Sequence, residues 1–425
     1  MRRLFLTGFL ALAGMGLFAQ SVDKAKDLLK ANKIADAKTQ IDGALAVDKN
    51  QKSPDAWYYK LKIYNAIAAG PLSAQYPDAR QQAFEALKKY VEVDNTKLLL
   101  LQVDGYKPVN EIYQGFFQIG ANDYNAAKYD SALTNFNGAI ETSSFMNSKG
   151  WTTLKLDTTS TLYAGISAEK AGKKDTAAIY YGRLADAKID KINNSNMIDI
   201  YKWLVDYYNN TKKDEAMTQK YLGIAEKIFP DDLFWPSTRL EILRAKGNKD
   251  SLFVEYDTIV AHFPKNYLFF FNFGLELYQY ASDTSSGQRP ANADTLIAKA
   301  QVMLKSCLAL QPDYPQAALV LGQISYNQGV DLQGQVKKLH GATPDVVKQR
   351  TDLRAATNKK FDEAIPYFEK VDQDLGSKGK LKMEEKSALK DAYDLLITIY
   401  ETKGPDGKAK ADAYTTKYNN VDKDH

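Results

Sequence analysis

The stretch Phe116–Ile140 reads FFQIGANDYNAAKYDSALTNFNGAI. Phe116, Ile119, Gly120 and Tyr124 fall at helical spacing, a short turn follows, and Ala132, Phe136 and Ala139 recur at intervals of four and three. Two amphipathic helices joined by a few residues form a helical hairpin. Small Gly120 and Ala132 let the helices approach, and Phe136 fills the space beside them.

The pattern recurs. LYAGISAEKAGKKDTAAIYYGRL places Ala164, Gly165, Gly172, Ala177, Tyr181 and Leu184 in the same roles. RLEILRAKGNKDSLFVEYDTIVAHFP does so with Leu240, Leu243, Gly247, Leu252, Tyr256 and Ile259. A middle glycine is expected to end each first helix, and an aspartate (Asp130, Asp175, Asp250) to cap each second one. Pro264 and Pro312 stop second helices from running on.

This spacing resembles the tetratricopeptide repeat family, whose unit is about 34 residues long. Nine units follow by eye, at about 22–50, 53–94, 109–142, 157–189, 196–230, 233–265, 267–312, 315–374 and 383–421. The resemblance implies an all-α, right-handed superhelical solenoid of about nine hairpins over residues 20–425. Departures are Lys220, where an aromatic is usual, and Asn95–Lys107, which fits no unit. Insertions interrupt three units near 70–79, 282–293 and 330–358. In the last, KKFDEAIPYFEKV (Lys359–Val371) is separated from its mate PQAALVLGQISYNQG (Pro315–Gly329) by a segment expected to extend both helices around a break at GATP. Pro366 is expected near the start of its helix, where a missing N–H costs little.

The N-terminus, MRRLFLTGFLALAGMGLFAQS, has two arginines, an apolar run and a small-residue exit. The run is shorter than the ~20 residues of a membrane span. Residues 1–19 are expected to be a signal peptide cleaved near Ala19, leaving a soluble periplasmic or extracellular protein. With Gln20 and DTTSTLYAGISAEKAGKKDTA, this resembles exported envelope repeat proteins of Bacteroidetes. Asp-Ser/Thr pairs at Asp130, Asp157, Asp175, Asp250, Asp257 and Asp294 resemble the O-glycosylation acceptor of that lineage, but helix capping is the competing explanation.

Of 425 residues, 44% are hydrophobic, and the net charge is only +4. No Lys/Arg cluster suggests nucleic acid as a partner. The single cysteine, Cys307, lies on an apolar helical stripe and reads as a buried thiol. His262, His340 and His425 are far apart, so neither a metal site nor a triad is expected. No P-loop, G-x-S-x-G, G-x-G-x-x-G or H-E-x-x-H occurs. No catalytic residue and no cofactor is assigned.

An aromatic ladder stands out. Aromatics seven residues apart share a face in several first helices: Phe117 with Tyr124, Tyr201 with Tyr208, Phe271 with Tyr278, and Tyr393 with Tyr400. Tyr326 continues the column. A polar residue follows each tyrosine: Asn125, Asn209, Gln279, Asn327, Glu401. By the resemblance, first helices line a concave groove, and tyrosine beside an amide suits adaptable recognition. The expected function is a non-catalytic protein–protein interaction scaffold. The alternatives are packing between repeats and a glycan-binding module using the tyrosines.

Overall fold

The computed structural model describes residues 21–285 and 288–425; the leader reading of residues 1–19 lies outside them. The described residues are all-α apart from one short antiparallel pair, Lys191–Ile192 with Ser195–Asn196. Nine helical hairpins follow in order among the described residues. The first five are α1 (Val22–Lys30) with α2 (Ile34–Leu45), α4 (Pro54–Ala69) with α5 (Ala79–Val93), α7 (Lys107–Asn125) with α8 (Tyr129–Ser148), α9 (Thr158–Lys170) with α10 (Lys174–Asp186), and α11 (Ile198–Asp206) with α12 (Glu215–Ile228). The remaining four are α13 (Phe234–Ala245) with α14 (Lys249–His262), α15 (Tyr267–Ser282) with α16 (Ala293–Leu310), α17 (Pro315–Lys338) with α18 (Pro344–Leu375), and α19 (Met383–Thr402) with α20 (Pro405–Asp424). Short helices α3 (Asp48–Gln51) and α6 (Leu99–Val103) lie between hairpins.

The chain divides into two compact units, the boundary falling within α13 after Trp235. In the first unit, α1, α4 and α7 contact one another in succession, as do α15, α17 and α19 in the second. In these two stretches first helices pack beside first helices. Each unit has its own apolar clusters, and single members such as Phe136 or Phe368, fully buried, each contribute about 1.5–3 kcal/mol.

The close approach inside a hairpin is visible at α7–α8. A Cβ on Gly138 would stand 2.7 Å from the Phe116 ring, and one on Gly120 would stand 3.0 Å from Phe136. Each helix thus offers a glycine to the other's phenylalanine. The eighth hairpin repeats the device, since a Cβ on Gly322 would meet the Phe368 ring at 2.5 Å.

Several hairpin turns close with a left-handed residue. Gly172 takes φ 76°, and Lys173 N–H then donates to Ala168 O at 2.8 Å. In the Phe116–Ile140 hairpin no glycine stands there; Ala127 takes φ 57° instead, and Lys128 N–H donates to Asp123 O at 2.8 Å. The expectation of a glycine at every such turn is corrected accordingly.

The aspartates also differ from expectation. The N-caps are Lys128, Lys173 and Asn248, while Asp130, Asp175 and Asp250 lie within the first turn. There they complement the helix dipole. Two of them also reach the next hairpin: Asp130 pairs with Lys173 at 2.6 Å, and Asp175 with Lys212 at 2.8 Å. Asp157 is a true cap, accepting from Ser160 N–H at 3.0 Å.

The irregular points have physical causes. At Lys220 the aromatic is displaced by one position: Tyr221 is buried and stacks on Tyr208, while Lys220 pairs with Asp186 at 2.7 Å. The π-helical turn Tyr207–Lys212 at the end of α11 precedes it. The Asn95–Lys107 segment holds α6 and is tied to α4 by Lys62 to Asp104 at 2.8 Å and by the Tyr58 hydroxyl to the same carboxylate. Pro366 is not near a helix start. α18 runs unbroken from Pro344, so Pro366 sits in its interior and leaves the fourth preceding carbonyl, that of Asp362, without its helical partner.

Candidate functional site

The ladder divides by burial. Tyr201, Tyr393 and Tyr400 expose 0%, 3% and 4% of their surface. Tyr201 donates to Ile189 O at 3.0 Å. Tyr393 donates to Asp372 at 2.5 Å, and burial, followed by that hydrogen bond, raises its pKa strongly. Tyr400 stacks on Tyr414 at 6.0 Å, donates to Glu369 at 3.2 Å and accepts from Lys410 at 3.0 Å. These three rings are committed to their own neighbourhood and offer no surface to a partner.

The other rings are half-buried. Phe117 meets Phe136 edge-on at 5.7 Å, and Phe271 meets Tyr314 at 5.0 Å. Tyr208 stacks on Tyr221 at 5.5 Å, and burial is the main cause of its raised pKa. Tyr326 stacks on Phe361 of its own hairpin at 5.4 Å. Tyr124 touches Tyr129 and Tyr163 edge-on.

The amides distribute as follows. Asn125, Gln279 and Asn327 are exposed, and Asn209 is half-buried and donates to Asn210 at 3.1 Å. In the second unit the structure brings two ladder members together: Asn327 of α17 donates to the Tyr278 hydroxyl of α15 at 2.6 Å. In the first unit, Tyr124 and Asn125 end α7 beside a residue the seven-residue rule missed. Tyr163 opens onto solvent from α9 and stacks on Phe136 at 5.4 Å. Its helix carries Lys170 seven residues on, so no aromatic pair marked it.

Chemically, each of these places presents ring surface and amide groups. Among the described residues no three His, Cys, Asp or Glu side chains converge as metal ligands would. Cys307 is buried, and burial pushes its thiol up to about 11. Among the described residues no helix is long and apolar enough to cross a membrane.

Among the described residues, nine hairpins, most closed by short turns and several sealed by a small residue against an aromatic, set the class. The fold is tetratricopeptide-like. No protein-family model matches the chain, and no curated protein matches it. Solved structures do. A TPR repeats protein from Bacteroides fragilis is 14% identical over 67% of this chain and 98% of its own, with a TM-score of 0.30. The C-terminal part of a TPR repeat-containing protein from Cytophaga hutchinsonii is 14% identical over 95% of this chain and 96% of its own, with a TM-score of 0.25.

Proposed function

We propose that this chain is a non-catalytic scaffold, exported to the cell envelope, that docks a segment of a partner protein along the face lined by its first helices. The observation that carries the reading is the half-buried tyrosine beside an exposed amide, repeated at Tyr124–Asn125 and at Tyr278–Gln279 with Asn327. A half-buried ring is held rigid by its neighbours and still offers apolar area, so little side-chain freedom is lost on binding. The amides supply both donors and acceptors to a peptide backbone. Buried tyrosines break the ladder within each unit, Tyr201 in the first and Tyr393 and Tyr400 in the second, which favours separate docking points over one continuous stacking surface for a glycan.

The test is photo-crosslinking in the native cell, with the crosslinker placed at Asn125 or Gln279 and, as controls, at exposed Ile179 and Val254 of second helices α10 and α14. The expected result is one discrete protein adduct from the first-helix positions and none from the controls. Equal adducts from all four positions, or none from any, would sink the reading. N-terminal sequencing of the exported protein checks the leader: the expected first residue is Gln20.

A further inference from the structure

The insertion between α4 and α5 builds something the repeat does not need. It carries Tyr76, whose ring lies 4.7 Å from the Lys38 ammonium of α2. Together with Trp57 and Tyr64 of α4, Tyr76 walls a cavity of about 450 Å³ between α2, α4, α5 and the inserted loop. The Trp57 indole N–H is already spent on Gln51 O at 2.8 Å, which fixes the ring as a wall.

Four charges enter the same cavity: Lys38, Lys60, Asp42 and Asp78. Two are matched to each other, since Asp42 accepts from Lys38 at 2.9 Å and from the Tyr64 hydroxyl at 2.8 Å. The other two are matched poorly: Lys60 reaches Asp42 only at the long edge of an ion pair, and Asp78 meets no cation among the described residues. The Lys60 side chain is only 17% exposed, yet its nearest carboxylate is Asp42 at 3.9 Å and it makes no hydrogen bond among the described residues. Its ammonium instead lies 5.1 Å from the centre of the Tyr64 ring and 5.8 Å from Trp57. Asp78 accepts a single side-chain bond, from Gln82 at 3.3 Å, and has no cationic partner among the described residues.

These groups select a ligand class. The four charges sum to zero, so a net cation or anion would meet a like charge as well as an opposite one. A purely apolar ligand would strip water from Lys60 and Asp78 and return no hydrogen bonds. A free amino acid could bridge those two groups but would leave much of the cavity to water. A neutral, disc-shaped, polyhydroxylated ligand satisfies all terms: its C–H face lies on aromatic rings, and its hydroxyls accept from Lys60 and donate to Asp78. The volume falls in the range of small-molecule sites, roughly 300–1,000 Å³. We infer that this cavity binds a neutral saccharide of about two sugar rings, independently of partner docking along the first helices.

Saturation-transfer NMR of the full chain with maltose, cellobiose, lactose and diacetylchitobiose tests this, with glycine, lysine and tryptophan as competing probes. The expected result is transfer to the ring protons of at least one disaccharide. Tyr76→Ala and Asp78→Asn should each weaken that binding about tenfold or more, while Tyr278→Ala leaves it unchanged. Asp78 is exposed, so Asp78→Asn decides the matter should Tyr76→Ala fail to fold. The inference is overturned by no transfer to any disaccharide, by unchanged affinity in Asp78→Asn, or by transfer confined to the amino acids.

Discussion

Asn327 donates its side-chain amide to the Tyr278 hydroxyl across 2.6 Å, and so joins the first helix of the eighth hairpin to that of the seventh. The bond is exposed, and such bonds contribute about 0.5–1.5 kcal/mol at most. Its members are therefore better placed to serve binding than stability. Asn327→Ala and Tyr278→Phe are expected to shift the urea midpoint little while removing most of the crosslinked adduct formed at Gln279. A large loss of stability in either variant would count against a binding role.

Tyr201 and Tyr278 look alike in sequence but should behave oppositely. Tyr201 is fully buried and hydrogen-bonded to Ile189 O. Tyr201→Ala is expected to cost about 3–5 kcal/mol, as large buried aromatics do when truncated. Tyr278→Ala should cost roughly 1 kcal/mol or less. Denaturant unfolding of the two variants side by side checks the difference.

Two glycines of α17 make an internal comparison. A methyl on Gly322 would press the fully buried Phe368 ring, so Gly322→Ala should destabilise by about 1–3 kcal/mol. Around Gly334 nothing stands within 4 Å of an added Cβ. Gly334→Ala should therefore be neutral or stabilising by about 0.5–1 kcal/mol, since alanine is the better helix former. Thermal melts of both variants decide it.

Burial raises the folded-state pKa of Tyr90, Tyr113 and Tyr201 to about 12. The folded state therefore holds these protons more tightly than the unfolded chain, whose tyrosines titrate near 10. That stabilisation is fully present below about pH 10 and is lost as pH rises toward about 12. Tyrosinate absorbance is expected to lag behind that of free tyrosine and then to rise together with loss of helical circular dichroism. A smooth titration near 10 with the helices intact would contradict the burial.

The Cys307 thiol is buried in the seventh hairpin and pushed up to about 11. A thiol reagent at neutral pH should leave the native protein unmodified and react promptly in denaturant. Fast native modification would place Cys307 at a mobile or open site.

Much of the architecture was legible before any coordinates. The small-to-aromatic spacing in Phe116–Ile140 reports how closely two helices approach, and that distance is a local property of the residues that touch. Gly120 and Phe136 read the same way in sequence and in space. The turns were less legible. Ala127 adopts the left-handed conformation that Gly172 adopts, because the two turn hydrogen bonds compensate a strain that sequence pattern does not register. Pro366 misled because its position within a helix depends on where that helix begins, and α18 begins far upstream at Pro344.

The sequence by itself determined the all-α class, the order of the nine hairpins among the described residues and sealing pairs such as Gly120 with Phe136, because contacts at three, four and seven positions are set by the helical period. Which ladder tyrosines face solvent was decided only by tertiary structure. Tyr201 and Tyr278 carry the same local signal, and only the packing around each ring buries the first and leaves the second half open. The cavity at Lys60 is tertiary in the same sense. Its walls come from α2, α4, α5 and an inserted loop, and no periodicity along one chain segment records that Tyr76 will stand over Lys38.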